Sequence, residues 1–376
     1  MEKFQMRPII YEFDTVKEFV QEFSLSKEDL VFTHSFLYEG YMRKLNLLSD
    51  VIFFEDYGEG EPSDEIIDKI LMSLSGKTYK RIIGIGGGTV LDIAKLLCIR
   101  DAKSTEDIFG EKIPLLRDTG LILIPTTCGT GCEMTCVSVV DLKKQNTKIG
   151  KRIEANFADS AVLIPELLDT LPDMPFLYSS VDALIHALEI YMAPTTNYFN
   201  NVYCAEAIRI ILNRYNSLVE FGLSERKKYM KDFLRASCYA GIALANTACG
   251  AVHACAMHFG SKHHVPHGEA NYRFLCAVFQ KYVLLQPQGK IQEVAEFVKS
   301  SIPLRNSVNS ENHVFEELQL FLENLIPFKG LRDYGMKEDD ISSYAEKVFD
   351  SQQRLLINSY VSLTKENLID IYQQIF

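Results

Sequence analysis

From residue 30 to about residue 171, the chain alternates between short apolar segments and amphipathic segments. The apolar segments span residues 30–34, 51–54, 81–86, 121–126 and 161–165. Residues 63–75 place isoleucine and leucine at helical spacing between two of them. Strands that are apolar on both faces and alternate with helices are typical of a parallel sheet covered by helices. The pattern predicts an α/β domain, with a hairpin or loop over the charged, turn-rich residues 143–156.

The second half of the chain has helical periodicity and almost no strand signal. Two prolines within four residues, Pro172 and Pro175, indicate a boundary between the halves. We therefore predict an α/β domain over residues 1–172 and an all-helical domain over 173–376. The predicted helices lie at 179–191, 200–215, 225–245, 265–282, 290–300, 314–325 and 338–356, with a last short helix that begins near 364.

The composition and net charge of the chain argue against several classes of protein. The chain has 376 residues and a net charge of −11, which argues against binding to the phosphate backbone of a nucleic acid. It contains no apolar segment long enough for a signal peptide or a membrane span. The nine cysteines have no paired spacing and suit a reducing compartment. We expect a cytoplasmic protein with neither a nucleic-acid nor a membrane partner.

Glycines follow the third apolar segment and open a helix. Three consecutive glycines allow the backbone to approach a ligand closely, and the amides at the start of a helix favour a phosphate group. The standard G-x-G-x-x-G pattern is not complete here, and a tight turn without a ligand is the alternative. The candidate cofactor-binding residues of this turn are Gly86, Gly87, Gly88, Thr89 and Asp92.

A second turn with alternating threonine and glycine follows the next apolar segment. In a parallel sheet, both turns lie at the carboxyl ends of strands, where a single dinucleotide can contact them. An ordinary polar loop is the alternative interpretation. The candidate residues of this second turn are Thr126, Thr127 and Thr130.

A group of potential metal ligands lies in the helical half. Asp182 and His186 are four residues apart and share one face of a helix that is otherwise apolar, where an unpaired aspartate is costly. His253 and His267 lie farther along, among small and turn residues. One carboxylate and three imidazoles suit Fe(II) or Zn(II). The alternative is a surface ion pair on the helix, with histidines in ordinary turns.

Five sequence blocks resemble the iron-containing (type III) alcohol dehydrogenase family in order and spacing. They are GGGTVLDIAK (86–95), PTTCGTGCEMT (125–135), SSVDALIHALE (179–189), AVHA (251–254) and VPHGEAN (265–271). The resemblance implies a Rossmann-like parallel-sheet domain and an all-α domain, as in the architecture of dehydroquinate synthase. It implies NAD and Fe(II), or Zn(II), as cofactors, a small alcohol or aldehyde as substrate, and a homodimer.

The resemblance also implies roles for individual residues. The family's four metal ligands match Asp182, His186, His253 and His267, and a family lysine near the nicotinamide ribose matches Lys148. Many relatives carry a histidine four residues after the third ligand that is thought to pass a proton, whereas this chain has Met257 followed by His258. His258 and His267 are therefore the candidate catalytic residues.

Other segments point to the substrate. Residues 57–65, 264–272, 331–338 and 352–360 look like family members that interconvert 4-hydroxybutyrate and succinate semialdehyde. Arg273, Lys262 and Arg354 are the candidate partners of the substrate carboxylate. His34 stands where many NAD-using relatives have aspartate, so the sequence does not decide between NAD and NADP as the cofactor. A dehydrogenase of another alcohol or diol, a lyase of the dehydroquinate synthase type and a non-catalytic nucleotide sensor are the alternatives.

Overall fold

The computed structural model describes residues 3–145, 147–304 and 313–376. This part of the chain contains eight strands and fifteen helices. The strands are β1 (Ile9–Glu12), β2 (Asp29–Thr33), β3 (Asp50–Phe53), β4 (Arg81–Gly86), β5 (Gly120–Pro125), β6 (Val137–Leu142), β7 (Thr147–Arg152) and β8 (Ser160–Leu163).

The helices fall into a short set in the first half of the chain and a longer set in the second. The first set is α1 (Val16–Phe23), α2 (Ser35–Leu37), α3 (Asp64–Ser73), α4 (Gly88–Leu97) and α5 (Thr105–Phe109). The second set is α6 (Asp173–Met192), α7 (Tyr198–Phe221), α8 (Met230–Leu244), α9 (Ala251–His263), α10 (His267–Leu285), α11 (Lys290–Ser301), α12 (Val314–Leu322), α13 (Asp340–Ser351), α14 (Gln353–Leu356) and α15 (Lys365–Gln374).

Six strands form one parallel sheet in the order β1-β8-β5-β4-β2-β3, and β6 and β7 form a separate antiparallel hairpin. The central strands β2, β4 and β5 are almost entirely buried, which is why they read as continuous apolar segments. The predicted parallel α/β sheet is confirmed. The sequence analysis missed β1, which lies at the sheet edge and has exposed residues at both ends.

The chain divides into two compact units. The α/β unit comprises Met6–Thr127 and Gly131–Leu171, and the helical unit comprises Pro172–Phe376 with residues 3–5 and Cys128–Thr130. A single boundary after residue 172 does not describe these two short segments. In the helical unit, α6 has fifteen buried residues out of twenty, so it is a core helix surrounded by protein.

The helices of the second half differ from the predicted ones in several places. Helix α6 already begins at Asp173, α7 continues to Phe221, and α9 is not among the predicted helices. The stretch predicted as one helix over 338–356 is divided into α13 and α14 at Gln352. The predicted helix at 265–282 begins at His267, because Pro266 precedes its first turn. No helix in the described residues combines the length and the apolar character that crossing a membrane requires.

Candidate metal and cofactor sites

Helix α6 carries three acidic or imidazole side chains along one buried face. Asp182, His186 and Glu189 follow at intervals of four and three residues, and each is at most 5% exposed. The first two are among the predicted metal ligands, whereas Glu189 is not. Its spacing was a usable signal, because it continues the same helical face.

Two further helices bring the other predicted ligands to Asp182. His253 lies in the first turn of α9 and His267 is the first residue of α10. The Nε2 atoms of these histidines lie 3.6 and 3.7 Å from Asp182 Oδ1. One ligand atom from each of Asp182, His186, His253 and His267 lies within 4.8 Å of every other. The structure thus brings the four predicted ligands together.

The donor atoms of this group suit a divalent metal ion. Nε2 of His253 is buried and has no hydrogen-bond partner among the described residues. The rings of His186 and His253 are stacked, with their centroids 4.6 Å apart, and His267 remains 43% exposed at its side chain. One oxygen and three nitrogen ligands match the preference of Fe(II) or Zn(II), and the +2 ion would leave the group with a charge of about +1.

Glu189 fixes the orientation of His253. His253 Nδ1 donates to Glu189 Oε2 over 2.6 Å, and the backbone amides of Gly250 and Val252 donate to the same carboxylate over 3.0 and 2.6 Å. A Cβ atom on residue 250 would lie 3.1 Å from Glu189 Oε1, so glycine permits this close approach. A carboxylate that accepts from the far nitrogen of a ligating histidine is a common outer partner in metal sites.

Asn271 supports the group from the other side. Its Nδ2 donates to Asp182 Oδ1 over 2.7 Å and lies 3.0 Å from His267 Nε2. Asn271 is fully buried and stands one helical turn after His267. The sequence analysis missed it, although the four-residue spacing from His267 pointed to a shared face.

Electrostatic interactions within the group favour an ionised carboxylate and protonated imidazoles when no ion is bound. Burial alone would raise the pKa of Asp182, but the adjacent histidines hold that pKa well below its usual range. Burial would lower the pKa of His186 and of His253, whereas Asp182 and the Cys249 thiol raise both. A metal ion would take the place of these protons.

Cys249 is a buried thiol beside two of the ligands. Burial raises its pKa, and the neighbouring His253 and His186 lower it to about 7. Its sulfur, a Glu189 oxygen and a His253 nitrogen form a second group of potential ligands. In the described residues, the nine cysteines are free thiols.

His258 lies apart from the ligand group. It follows His253 by five residues on α9, and its ring packs against Tyr344 with a centroid separation of 4.7 Å. Burial, with the nearby Lys347 and Lys262, lowers its pKa. Met257 occupies the position one turn after His253. A role for His258 in proton transfer stays a prediction.

The first glycine-rich turn joins β4 to α4 in the α/β unit. Gly87 is the residue before the first turn of α4, and its φ of −73° is accessible to any residue. A Cβ atom there would meet only Thr127 at 3.6 Å, an ordinary contact. Neither backbone conformation nor packing therefore requires glycine at 87. That a ligand approaches the α4 amides closely here stays a prediction.

The second turn follows β5, the neighbour of β4. Thr126 N donates to Gly86 O over 3.0 Å, so the two turns are adjacent in the α/β unit. The following residues 128–130 belong to the helical unit, where Gly129 O lies 3.4 Å from His186 Nδ1. A Cβ on Gly129 would lie 2.5 Å from Ser179 O, so glycine is needed at this contact with α6.

Asp92 is occupied by contacts within the α/β unit. Its carboxylate accepts from Lys95 Nζ at 3.2 Å, the Cys132 thiol at 3.0 Å and Val139 N at 3.0 Å. Lys95 is completely buried and also donates to Val137 O. These contacts hold α4 against β6, which is a structural function for Asp92.

Two further candidates lie in the α/β unit. Lys148 is on the hairpin strand β7, where its ammonium group pairs with Glu61 at 2.7 Å. His34 directly follows β2, and its Nδ1 lies 2.9 Å from Glu55 Oε1. The carboxylate of Glu55 thus lies beside the carboxyl end of β2, although residue 34 itself is not acidic.

Comparison with known proteins agrees with this geometry. Residues 7–165 match the family described as iron-containing alcohol dehydrogenase, and residues 176–376 match the C-terminal part of the Fe-containing alcohol dehydrogenase family. The 4-hydroxybutyrate dehydrogenase of Clostridium kluyveri is 41% identical over 376 residues, which cover all of both chains. Long-chain-alcohol dehydrogenase 1 of Geobacillus thermodenitrificans is 28% identical over 90% of this chain and 83% of its own length.

The fold is also that of a solved structure. Sulfoacetaldehyde reductase from Bifidobacterium kashiwanohense, solved in complex with NAD+, superposes with a TM-score of 0.85 at 19% identity, over 100% of this chain and 98% of its own. The two family matches together span nearly the whole sequence. The chain therefore belongs to the iron-containing alcohol dehydrogenase family.

Proposed function

We propose that this enzyme interconverts 4-hydroxybutyrate and succinate semialdehyde, with NAD as the hydride acceptor and a divalent metal, Fe(II) or Zn(II), as the second cofactor. The metal-ligand group of Asp182, His186, His253 and His267 is the observation that carries the proposal of metal-dependent alcohol chemistry. The substrate is supported by 41% identity, over both whole chains, to the 4-hydroxybutyrate dehydrogenase of Clostridium kluyveri. A cytoplasmic location and a homodimer stay predictions.

Asp182, His186, His253 and His267 in the helical unit would hold the metal, and their single carboxylate would leave the site with a net charge of about +1. When bound, a divalent ion acts as a Lewis acid on an alcohol or carbonyl oxygen. Glu189 and Asn271 keep His253 and Asp182 in fixed orientations. His267 is half-exposed, so the group is accessible to a small molecule on that side.

The α/β unit supplies the dinucleotide site. When bound, nicotinamide accepts or supplies the hydride. The amides of Gly88 and Thr89 open α4 and would bind the pyrophosphate, with Gly87 leaving space for it. Glu55, beside His34, favours NAD over NADP, because its carboxylate would repel a 2′-phosphate.

The decisive experiment measures NADH absorbance with iron-loaded enzyme prepared without oxygen. We expect turnover with 4-hydroxybutyrate to exceed that with butan-1-ol and propane-1,3-diol, and NAD+ to be preferred to NADP+. Preference for an uncharged alcohol or diol would reject the proposed substrate while leaving the family chemistry intact.

The metal ligands have their own test. D182A and H253A should lose both bound metal and turnover but keep NADH binding, measured by fluorescence. H313A alters a surface histidine that pairs with Glu316 and is the matched control. Full activity of wild-type protein from which the metal has been removed would overturn the proposed mechanism.

A further inference from the structure

The chain is acidic overall, with a net charge of −11. A 4-hydroxybutyrate molecule carries a carboxylate, which needs a cation at a fixed distance from the reacting hydroxyl group. Three basic residues of the helical unit, Arg273, Lys262 and Arg354, are candidates for that cation. Their environments differ enough to separate them.

Arg273 already has its partners. Its guanidinium group is completely buried, donates to Pro327 O at 3.0 Å and to Tyr178 Oη at 3.3 Å, and lies 3.5 Å from Glu269. Aromatic rings, among them that of Tyr334, enclose it. A substrate carboxylate at this position would have to displace Glu269, so Arg273 is a structural cation.

Lys262 lies on the wrong face of its helix. It follows His253 by nine residues on α9, which at about 100° per residue places the two side chains on opposite faces. Nine residues also separate them by about 13 Å along the axis. Lys262 is exposed to solvent. A small molecule at His253 does not reach it.

Arg354 lies over the same helical face as His253. Its guanidinium Nη2 is 3.9 Å from the sulfur of Met257, and Met257 is one turn after His253 on α9. Arg354 is exposed, and none of the ion pairs among the described residues involves it. A cation with no ion pair among the described residues thus lies against Met257, the residue one helical turn after the predicted ligand His253.

The rise of α9 between His253 and Met257 is comparable with the length of a four-carbon hydroxy acid. Four residues of α-helix advance about 6 Å, the separation between His253 and Met257 along α9. An extended chain advances about 1.2 Å per bond, so the hydroxyl oxygen and carboxyl carbon of 4-hydroxybutyrate are about 5 Å apart. A molecule of this length therefore spans the turn between the two residues.

From these observations we propose that Arg354 binds the carboxylate of the substrate, with Met257 as the apolar surface under its methylene chain. This inference rests on the proposed function and selects ω-hydroxy carboxylates of about four carbons. Met257, where many relatives carry a histidine, then leaves an apolar path for the chain. Arg354 is a specificity-determining residue in this scheme.

The test compares a carboxylate substrate with an uncharged one in the iron-loaded enzyme. We expect R354Q to lower kcat/KM for 4-hydroxybutyrate about 10- to 100-fold, mainly through KM, as for loss of a charge-assisted hydrogen bond. In the same variant, kcat/KM for butan-1-ol should change by no more than about threefold, because this substrate has no carboxylate. R354K keeps the positive charge, so its kcat/KM for 4-hydroxybutyrate should fall less than that of R354Q. K262Q, on the opposite face, is the matched control and should behave as wild type.

Butanoate supplies a second measurement that does not depend on turnover. It should inhibit wild type competitively against 4-hydroxybutyrate and should stabilise the wild-type holoenzyme thermally, and R354Q should weaken both effects. Equal losses for the acid and the alcohol in R354Q, or selective loss in K262Q instead, would overturn the inference. Failure of wild type to oxidise 4-hydroxybutyrate would instead reject the proposed function itself, so the two failures are distinguishable.

Discussion

His253 donates from Nδ1 to Glu189 across 2.6 Å, and this bond holds the ring so that its other nitrogen, Nε2, lies 3.6 Å from Asp182 Oδ1. Because a carboxylate only accepts hydrogen bonds, Glu189 selects the histidine tautomer that can ligate a metal. Both side chains are buried, and the Glu189 carboxylate also accepts from two backbone amides at the start of α9. The orientation of this ligand is therefore set before any ion binds.

Replacing Glu189 by glutamine should weaken metal binding. Glutamine has one acceptor oxygen where the carboxylate satisfies three donors, so at least one of His253, Gly250 and Val252 loses its partner. Loss of such an outer partner typically lowers metal affinity about 10- to 100-fold. Competition with a chelator, followed by metal analysis, measures the change.

The control for this variant is D232N, in which a carboxylate that pairs with Arg214 elsewhere in the helical unit loses its charge. It should retain the metal affinity of wild type. Metal affinity of E189Q equal to that of wild type would show that His253 does not depend on Glu189 for its orientation.

Adjacent glycines of the first turn should respond differently to alanine. A Cβ at 86 would lie 2.6 Å from Val90 Cβ, so G86A should destabilise the α/β unit. A Cβ at 87 meets nothing closer than 3.6 Å, so G87A should change the free energy of unfolding by no more than about 1 kcal/mol. G87A should nevertheless weaken NADH binding on the order of tenfold, as expected when backbone hydrogen bonds to a phosphate are lost.

Urea unfolding and NADH fluorescence titration together separate the two effects. G40A is the matched control, since residue 40 has open space around it and lies outside the turn. If G87A bound NADH as tightly as wild type, the turn would not contact the pyrophosphate.

Most of the fold and two of the four predicted metal ligands follow from local sequence patterns. The central strands are apolar on both faces, and Asp182 and His186 share a helical face, so both signals lie within a few residues. The edge strand β1 is not evident from the sequence. It pairs with a neighbour along only one edge, and its residues alternate irregularly between exposed and partly buried positions. Its placement depends on pairing with β8, about 150 residues away, which no local pattern encodes.

The supporting residues were harder to predict for a related reason. Glu189 and Asn271 contact His253 and Asp182 across different helices, so their importance depends on tertiary packing. The position of Asp92 after the glycines predicts a cofactor residue, and in the structure its carboxylate accepts from Lys95 and from a backbone amide of β6. Sequence position placed it near the turn but did not give the direction of its side chain.

Asp92 should therefore affect stability more than cofactor binding. D92A would leave the ammonium group of Lys95 buried without its carboxylate, and breaking a buried ion pair in this way typically costs about 3–5 kcal/mol. The double variant D92A/K95M should recover part of that loss, because it removes the uncompensated charge. Urea unfolding measures the free energy of unfolding of D92A and of D92A/K95M. Normal stability of D92A with loss of NADH affinity would instead assign Asp92 to the cofactor.

Glu133 in the second turn should make stability depend on pH. It is 1% exposed, and neither of its carboxylate oxygens has a hydrogen-bond partner among the described residues. Burial is the main cause that raises its pKa from 4.5 to about 7. An acid with a raised pKa in the folded state is ionised at a cost, so its contribution to stability falls as pH rises from about 4.5 through 7.

E133Q removes this ionisation, so its free energy of unfolding relative to wild type should increase with pH. The difference should grow between about pH 5 and pH 8 toward a limit of about 3 kcal/mol, since one pKa unit corresponds to about 1.4 kcal/mol. E28Q, at an exposed position, is the control and should give no such trend. Urea unfolding at several pH values measures both variants. If the difference in free energy of unfolding between E133Q and wild type were constant across that range, Glu133 would ionise in the folded protein without an energetic penalty, and the prediction would be wrong.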